Sequence, residues 1–436
     1  RAWGFQQITD YFSDAPFHEA WQPNRASFKY DTQEEIYRGV DSLCRLAISY
    51  LSRTDGKVST QSLGRGDMVY NGDRGKWIKF VYGLLARRYQ RLTNKTEYQL
   101  LGYADSVIKY VDLSFASNAD NWLMSYPGTK NDDTNPFGPA RGNFNVNKQS
   151  RFITQLLDGT TWGLSPAVAS NRDPRLRIML SASADTSTVT ASMPVPNGGF
   201  RFNILAASAP IGDFESSNTG GGTPGTAAWR RRVSVVYFDS MPTNTAANIF
   251  GKAGKYIFQN TAPAALMTYH ELQFIKAEAA FRKGSRAQAH TAYINGINAH
   301  MDFVNTYATF SGVSAPITAA QRSQYFNTAA VKSSPATLTL TDIMLQKFIG
   351  DWGWNPYNSW SDVRRYHYFD LDPETTDQVY KTFAVPLYST NNLGPKPVYR
   401  FLPTFNSEFD WNEGEIRRIG GFNLDYHTYE MWFSQP

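Results

Sequence analysis

The stretch from Thr268 to Val304 constrains the fold of this chain more than any other. Leu272, Ile275 and Ala279 fall on one row of a helix, and Phe274, Ala277 and Phe281 on another row on the opposite side. A helix that is apolar on two sides is covered by neighbours on both. Gly284 follows where a helix C-cap wants a residue tolerant of positive φ. Ser285 is a fair N-cap for a second helix, which carries Ala289, Tyr293, Ile297 and Met301 at four-residue spacing. Two helices across so short a loop make an antiparallel hairpin. The small side chains of Ala277, Ala279, Ala280, Ala289 and Ala292 let the pair pack closely.

The same periodicity recurs through the chain. A helix is predicted over Asp31–Leu51, with an apolar stripe of Ile36, Val40, Leu43, Ala47, Ile48 and Leu51. Thr32 and Glu35 form its capping box. Trp77, Phe80, Val81, Leu84, Leu85, Tyr89 and Leu92 mark a second helix, and Thr96–Leu113 reads as a third. Further helices are expected at Phe152–Leu157, Thr318–Ala330 and Thr341–Asp351. Ala277, Phe281 and Gly284 match the A-x-x-x-F-x-x-G turn of a tetratricopeptide hairpin. The fold class is therefore mainly α: an irregular tetratricopeptide-like helical scaffold with a loop-rich, partly β insertion. We read residues 1–436 as one domain with four sub-regions. These are N-terminal helical hairpins (1–114), a loop-rich ligand-binding region (115–265), tetratricopeptide-like helices (266–350) and an irregular C-terminal region (351–436). Within the insertion, Thr186–Ala191 and Val233–Phe238 alternate like short strands. Asn218–Gly225 is glycine-rich but lacks the Gly-Lys-Ser/Thr ending of a phosphate loop, so it reads as a surface loop.

Several function classes are disfavoured at once. A net charge of +5 is small for 436 residues, and Arg230–Arg232, Arg364-Arg365 and Arg417-Arg418 are short and scattered, which argues against nucleic acid. The single cysteine, Cys44, permits no disulfide within this chain and no cysteine-rich metal site; it reads as a core residue. No window reaches the apolar length of a membrane span, and no signal peptide is expected within residues 1–436. No G-x-S-x-G elbow occurs. His270-Glu271 begins an H-E-x-x-H zinc motif, but Phe274 stands where its second histidine belongs. The six histidines read as helix-surface or seam residues. The carboxylates Glu408, Asp410, Glu413 and Glu415 could supply the pair that glycoside hydrolysis needs, but a solvated loop is the simpler reading. Asp132-Asp133, flanked by Asn131 and Asn135, offers oxygen ligands suited to calcium. It lacks the glycine-spaced loop of an EF-hand, so a polar turn is expected and no cofactor is assigned.

Aromatic residues make up 15% of the chain, and charged residues only 19%. Most aromatics belong in cores and helix seams, but some fall in polar loops. Trp122 and Tyr126 follow the third helix, Trp162 follows a Gly-Thr-Thr turn, and Trp229 lies past the glycine-rich loop. Trp352, Trp354 and Tyr357 crowd a segment broken by Gly353 and Pro356. A sugar ring presents C–H groups that stack on an indole while nearby Asn, Asp or Arg bind its hydroxyls. These seven residues are the ligand-binding candidates, with core packing as the competing reading for each.

Six stretches, in order, carry a resemblance. They are Ile8–Phe12 with Asp14–Phe17 and Glu19-Ala20; Tyr70, Gly72-Asp73, Lys76-Trp77 and Lys79-Phe80 with Arg87–Arg91; Asp173–Leu176; Glu271-Leu272, Ile275–Ala280, Gly284 and Tyr293–Ile297; Gln346–Ile349 with Trp360, Asp362 and Arg364-Arg365; and Arg400–Pro403 with Glu408 and Asn412. Together they resemble the SusD/RagB family, nutrient-binding outer-membrane lipoproteins of Bacteroidetes. Three positions depart from the family pattern: Ser13 stands for a glycine, His300 for a frequent serine, and Tyr366-His367-Tyr368 for Thr-Gly-Tyr. A helical surface position for His300 would absorb the second. In the family motif Trp360 looks structural, packing beside Asp362 and Arg364.

The resemblance implies a non-catalytic binding protein, lipid-anchored and facing outward on the outer membrane. It implies capture of oligosaccharides or peptides, and a role as lid of a SusC-type TonB-dependent transporter. It also implies a preceding segment that bears the lipid-anchored cysteine and a first helix. Two rival functions remain: a helical glycoside hydrolase using Asp410 and Glu413, and a tetratricopeptide scaffold that binds only protein.

Overall fold

A computed structural model gives the fold and describes residues 1–144, 147, 149–182, 200, 203–204, 213–214, 236–237, 254–311, 315–385 and 396–436. The first helices stack in sequence. α1 (Ala2–Phe12) lies on α2 (Gln33–Leu51), whose capping box is complete: the Thr32 hydroxyl accepts from Glu35 N, and the Glu35 carboxylate accepts from Thr32 N. A short turn of helix, α3 (Thr60–Gly64), leads to α4 (Arg74–Arg91), which packs on α2. The single helix expected over Thr96–Leu113 is two. α5 (Thr96–Leu100) stops, Gly102 takes φ 62°, and α6 (Tyr103–Leu113) restarts against α4. A left-handed residue ends the i→i−4 ladder. As a result Leu100 and Leu101, which an unbroken helix would carry on its apolar side, face solvent.

In the insertion, β1 (Trp122–Met124), α7 (Arg151–Asp158) and α8 (Leu176–Met179) are joined by irregular chain. β2 (Asn203–Ile204) and β3 (Asp213–Phe214) pair antiparallel. β4 (Ala264–Met267) pairs with β1, Trp122 opposite Met267 and Met124 opposite Ala264, with a bulge between Trp122 and Leu123. This ladder, which periodicity did not reveal, ties the start of the insertion to the central hairpin. The expected strand Thr186–Ala191, the loop Asn218–Gly225 and the run Arg230–Arg232 lie outside the described residues. Of Val233–Phe238 only 236–237 are described, in a turn.

The hairpin forms as its spacing predicts: α9 (Tyr269–Arg282), capped by Thr268, then α10 (Arg286–Ser311), with Gly284 at φ 82°. Both apolar rows of α9 are buried, as are Ala289, Tyr293, Ile297 and Met301. Closeness is strict at Gly296, where a Cβ would lie 2.8 Å from the Phe274 ring. α9 packs on α10, α6, α4 and α12 (Leu340–Asp351). α11 (Ala319–Phe326) precedes α12, and α13 (Pro356–Arg365) follows it. Two short helices, α14 (Glu408–Trp411) and α15 (Glu413–Arg418), close the chain. No helix among the described residues is long and apolar enough to cross a membrane.

Where α1, α4, α9, α12 and α13 meet, the core is ionic. Arg87 forks onto Glu271 and also donates to Leu266 O at 2.8 Å. Arg91 reaches Asp10 at 3.4 Å and Asp362 at 3.1 Å, and also donates to Asn358. Arg365 bridges Glu278 and Asp362, each at 2.9 Å, and Lys347 adds a third cation on Asp362 at 2.7 Å. Every one of these charged side chains is buried. Burial alone would raise the Glu278 and Asp362 carboxyls; the surrounding cations outweigh it and hold both below the usual range. Asp351 nearby goes the other way: burial and then the Glu271 charge push its carboxyl well up.

His300 is not on a helix surface. It is fully buried on α10, because that helix also buries Ala299, Phe303 and Val304. Its Nδ1 lies 2.8 Å from Arg175, which Asp173 grips at 2.6 Å and Gln346 at 2.8 Å. The His270 ring stands 4.7 Å away, its Nε2–H donating to Gly350 O at 3.1 Å. Burial holds both imidazoles neutral, lowering His270 to about 3.

Candidate functional site

α1 ends at Ser13, which takes φ 72° and turns the chain back. The loop that follows returns through an antiparallel bridge between Ala15 and Asp31. The Asp31 carboxylate accepts from Phe17 N at 2.8 Å and His18 N at 2.9 Å, fixing the loop from within. Its outer side is stapled to the end of the chain. The Asn412 amide accepts from Phe28 N at 2.9 Å and donates to Phe28 O at 2.8 Å. Glu415 accepts from Tyr30 N at 2.8 Å, and Arg418 donates to Tyr30 O at 2.9 Å. The Arg418 hydrogen bond, joined by the Tyr30 amide, keeps the Glu415 carboxyl below its usual range. The Tyr30 hydroxyl donates to Glu408; burial and then that carboxylate hold the phenol protonated.

Between loop and α14 lies a cleft of about 430 Å³. Pro16, Ala26 and Phe28 line one side, Ser407 and Trp411 the other, with Glu408 and Tyr30 between. A second hollow of about 230 Å³ adjoins it, sharing Pro16, Tyr30 and Glu408 and reaching Ile8 and Phe12 of α1. Trp411 is 66% exposed. Beyond the second hollow the surface stays aromatic: Tyr357 lies 4.5 Å from Tyr11 and 6.3 Å from Phe401, and Trp360 lies 5.1 Å from Phe401.

The seven expected aromatic residues are placed differently from one another. Trp122 is half-buried in β1 against Phe80. Tyr126 is half-buried, and burial raises its phenol. Trp162 is clamped to α7, its Nε1 donating to Leu156 O at 3.0 Å. Trp352 is half-buried beside Tyr256 and Phe258. Trp354 is a core residue that donates to Gly350 O at 2.8 Å, so it offers no face to a ligand. Tyr357 alone of the described six joins the open aromatic surface. Trp229 lies outside the described residues. None of these lines either cleft. Trp360 is structural as expected, with the Arg364 guanidinium 3.8 Å from its ring.

Sequence reasoning overlooked Trp411, Phe28 and Tyr30. A signal was present: Trp411 stands between Asp410 and Asn412, an indole in a charged stretch that no apolar period explains. From the sequence the stretch stands out for its part in the family motif and for its carboxylates. Three of the four carboxylates have protein partners: Glu408 also accepts from Thr404 N at 2.6 Å, Glu413 pairs with Arg417 and Glu415 with Arg418. A depressed carboxyl such as Glu415 is the opposite of a general acid. Cys44 is buried, and burial pushes its thiol up to about 12. At Asn131–Asp133 a polar turn forms: Asp133 accepts from Lys130 N at 2.9 Å, while Asn135 accepts from Phe137 N at 2.8 Å. Among the described residues no three His, Cys, Asp or Glu side chains gather as a metal site.

The model of a SusD-like family, described as starch-binding and associating with the outer membrane, matches residues 1–192 and 234–387. The chain belongs to this SusD-like family. Solved structures agree in fold. A SusD/RagB family protein from Bacteroides thetaiotaomicron VPI-5482 is 23% identical at a TM-score of 0.62, covering 99% of this chain and 78% of its own. A SusD homologue from Bacteroides fragilis NCTC 9343 is 21% identical at 0.63, covering 100% and 82%. A chitin-binding SusD homologue from Flavobacterium johnsoniae is 19% identical at 0.58, covering 99% and 78%. At these identities the likeness is one of fold. No curated protein matches the chain in sequence.

Proposed function

We propose that the protein is a non-catalytic binding protein of the outer membrane that captures oligosaccharides at the cell surface. One observation carries this reading: the match of most of the chain to a family described as starch-binding and associating with the outer membrane. The chitin-binding homologue of the same fold supports a glycan over a peptide. In this reading the protein is held by a lipid anchor, faces outward and closes over a SusC-type TonB-dependent barrel that takes the ligand in. Capture needs no bond making and no cofactor, so calcium removal leaves binding unchanged.

Calorimetric titration with maltoheptaose, chitohexaose and a mixed oligopeptide pool tests the ligand class. Saturable binding of either sugar is expected; binding confined to peptides, or to neither, overturns the reading. Chromatography of the same mixtures after long incubation is expected to return intact sugar. Shortened products that vanish in Glu413→Gln or Asp410→Asn would instead establish the hydrolase. Purification from outer membranes in mild detergent is expected to bring down a large β-barrel in equal amount; a chain that comes away alone would remove the transporter from the proposal.

A further inference from the structure

We propose that the cleft between the Pro16–Tyr30 loop and α14 is a subsite for an uncharged hexose ring, stacked on Trp411 and held through its hydroxyls by Glu408. The inference rests on the glycan-binding reading and goes beyond it by naming a place and a charge preference.

Three observations meet here. The first is a large indole left 66% exposed although its neighbours are fixed. Trp411 is followed directly by Asn412, whose amide clasps Phe28 at both N and O, and Glu408 at the other end of α14 is held by Thr404 N and the Tyr30 hydroxyl. The platform is therefore preorganised, so little ordering cost falls on the ligand. Phe28 and Pro16 oppose it as apolar surface, which suits the C–H face of a pyranose.

The second is unused acceptor capacity. Each Glu408 oxygen takes one hydrogen bond from protein. A carboxylate offers about four lone-pair positions, so acceptors remain for sugar hydroxyls. The size of the cleft, about 430 Å³, falls within the range of small-ligand sites.

The third is charge. The two segments that build the cleft, 14–31 and 408–418, hold seven carboxylates against four arginines and lysines. The chain as a whole is +5. An acidic cleft on a basic protein admits neutral hydroxyl donors and repels uronic-acid or sulfated sugars.

The test is calorimetric titration of the full chain and of two variants with maltoheptaose, chitohexaose and oligogalacturonate. Trp411→Ala removes the platform, and Ala26→Trp fills the cleft from its exposed opposite lip. Both positions are at the surface, so thermal midpoints are expected to match wild type. Each variant is expected to weaken binding of the neutral sugar at least tenfold, and wild type is expected to take oligogalacturonate at least tenfold more weakly than the neutral sugar. Neutral-sugar affinity unchanged in both variants places the ligand elsewhere and overturns this inference while the glycan reading stands. Tighter binding of oligogalacturonate overturns it as well. A wild-type chain that binds no sugar overturns the glycan reading itself.

Discussion

Two polar regions of this protein use the same residue types to opposite ends. In the seam between α1, α4, α9, α12 and α13, Arg87, Arg91, Arg365 and Lys347 meet Asp10, Glu271, Glu278 and Asp362 with every side chain buried. At the end cleft, Glu408, Glu413 and Glu415 meet Tyr30, Arg417 and Arg418 at the protein surface. In the seam each charge has a partner on another helix, so the pairs tie the helices to one another. At the cleft the carboxylates keep free lone pairs and open to solvent, beside an indole that no core covers. Eight of the residues that carry the family resemblance lie in the seam (Asp10, Arg87, Arg91, Glu271, Glu278, Lys347, Asp362 and Arg365), while Pro16, Glu408 and Asn412 line the cleft. The shared signature therefore describes the scaffold and part of the cleft wall, whereas Trp411 and Phe28 lie outside it.

The contrast can be broken most sharply at Arg365. Arg365→Ala leaves Glu278 and Asp362 short of a partner in the core and is expected to cost about 3–5 kcal/mol. Urea denaturation reads this directly; a midpoint equal to wild type would show that the seam contributes through shape alone. Mild acid comes next. His270 and His300 are held neutral, with folded values below the ordinary 6.5, so the unfolded chain binds more protons as pH falls through 6.5. Stability present at pH 7 is thus lost on acidification, by about 2 kcal/mol per histidine at pH 5. Thermal midpoints at pH 7 and 5 test the sign. Glu278 and Asp362, with depressed values, lose their contribution only as pH falls further, through the carboxylate range.

Gly296→Ala drives a methyl into the Phe274 ring and is expected to destabilise by about 1–3 kcal/mol, again by urea titration. Ser13→Gly is expected to stabilise by about 1 kcal/mol, since φ 72° disfavours any residue with a Cβ; a lower midpoint would mean that the serine hydroxyl outweighs the strain. The smallest effect on stability belongs to the cleft. Trp411→Ala should move the midpoint by no more than about 0.5 kcal/mol, although its binding effect is large. A marked loss of stability there would make Trp411 a packing residue and erase the distinction between the two regions.

The helices of the scaffold were legible because burial imposes periodicity. Thr32 with Glu35, the two apolar rows of α9 and the Gly284 turn each follow from local rules, and each is where those rules put it. Two departures from the family pattern also acquire a physical meaning. Ser13 and His367 both stand where the family has glycine, and both take positive φ. His367 is held in that conformation by Asp370 at 2.7 Å and Glu430 at 2.9 Å. The site was far less legible. Trp352, Trp354 and Tyr357 share one broken segment, yet one is half-buried, one buried and one exposed, because α13 begins at Pro356 and turns Tyr357 outward. No local rule separates these three outcomes.

The sequence by itself determined the helices, the hairpin at the centre and the family, since each depends on residues within a few turns of one another or on ordered motifs. Only the tertiary structure decided which charges would be buried and which aromatics left open. Phe28 and Asn412 are 384 residues apart and build one wall-to-wall clasp; Arg87 and Glu271 are 184 apart and share one core. Exposure is a property of what lies opposite a side chain in space, and a linear pattern holds no record of that partner.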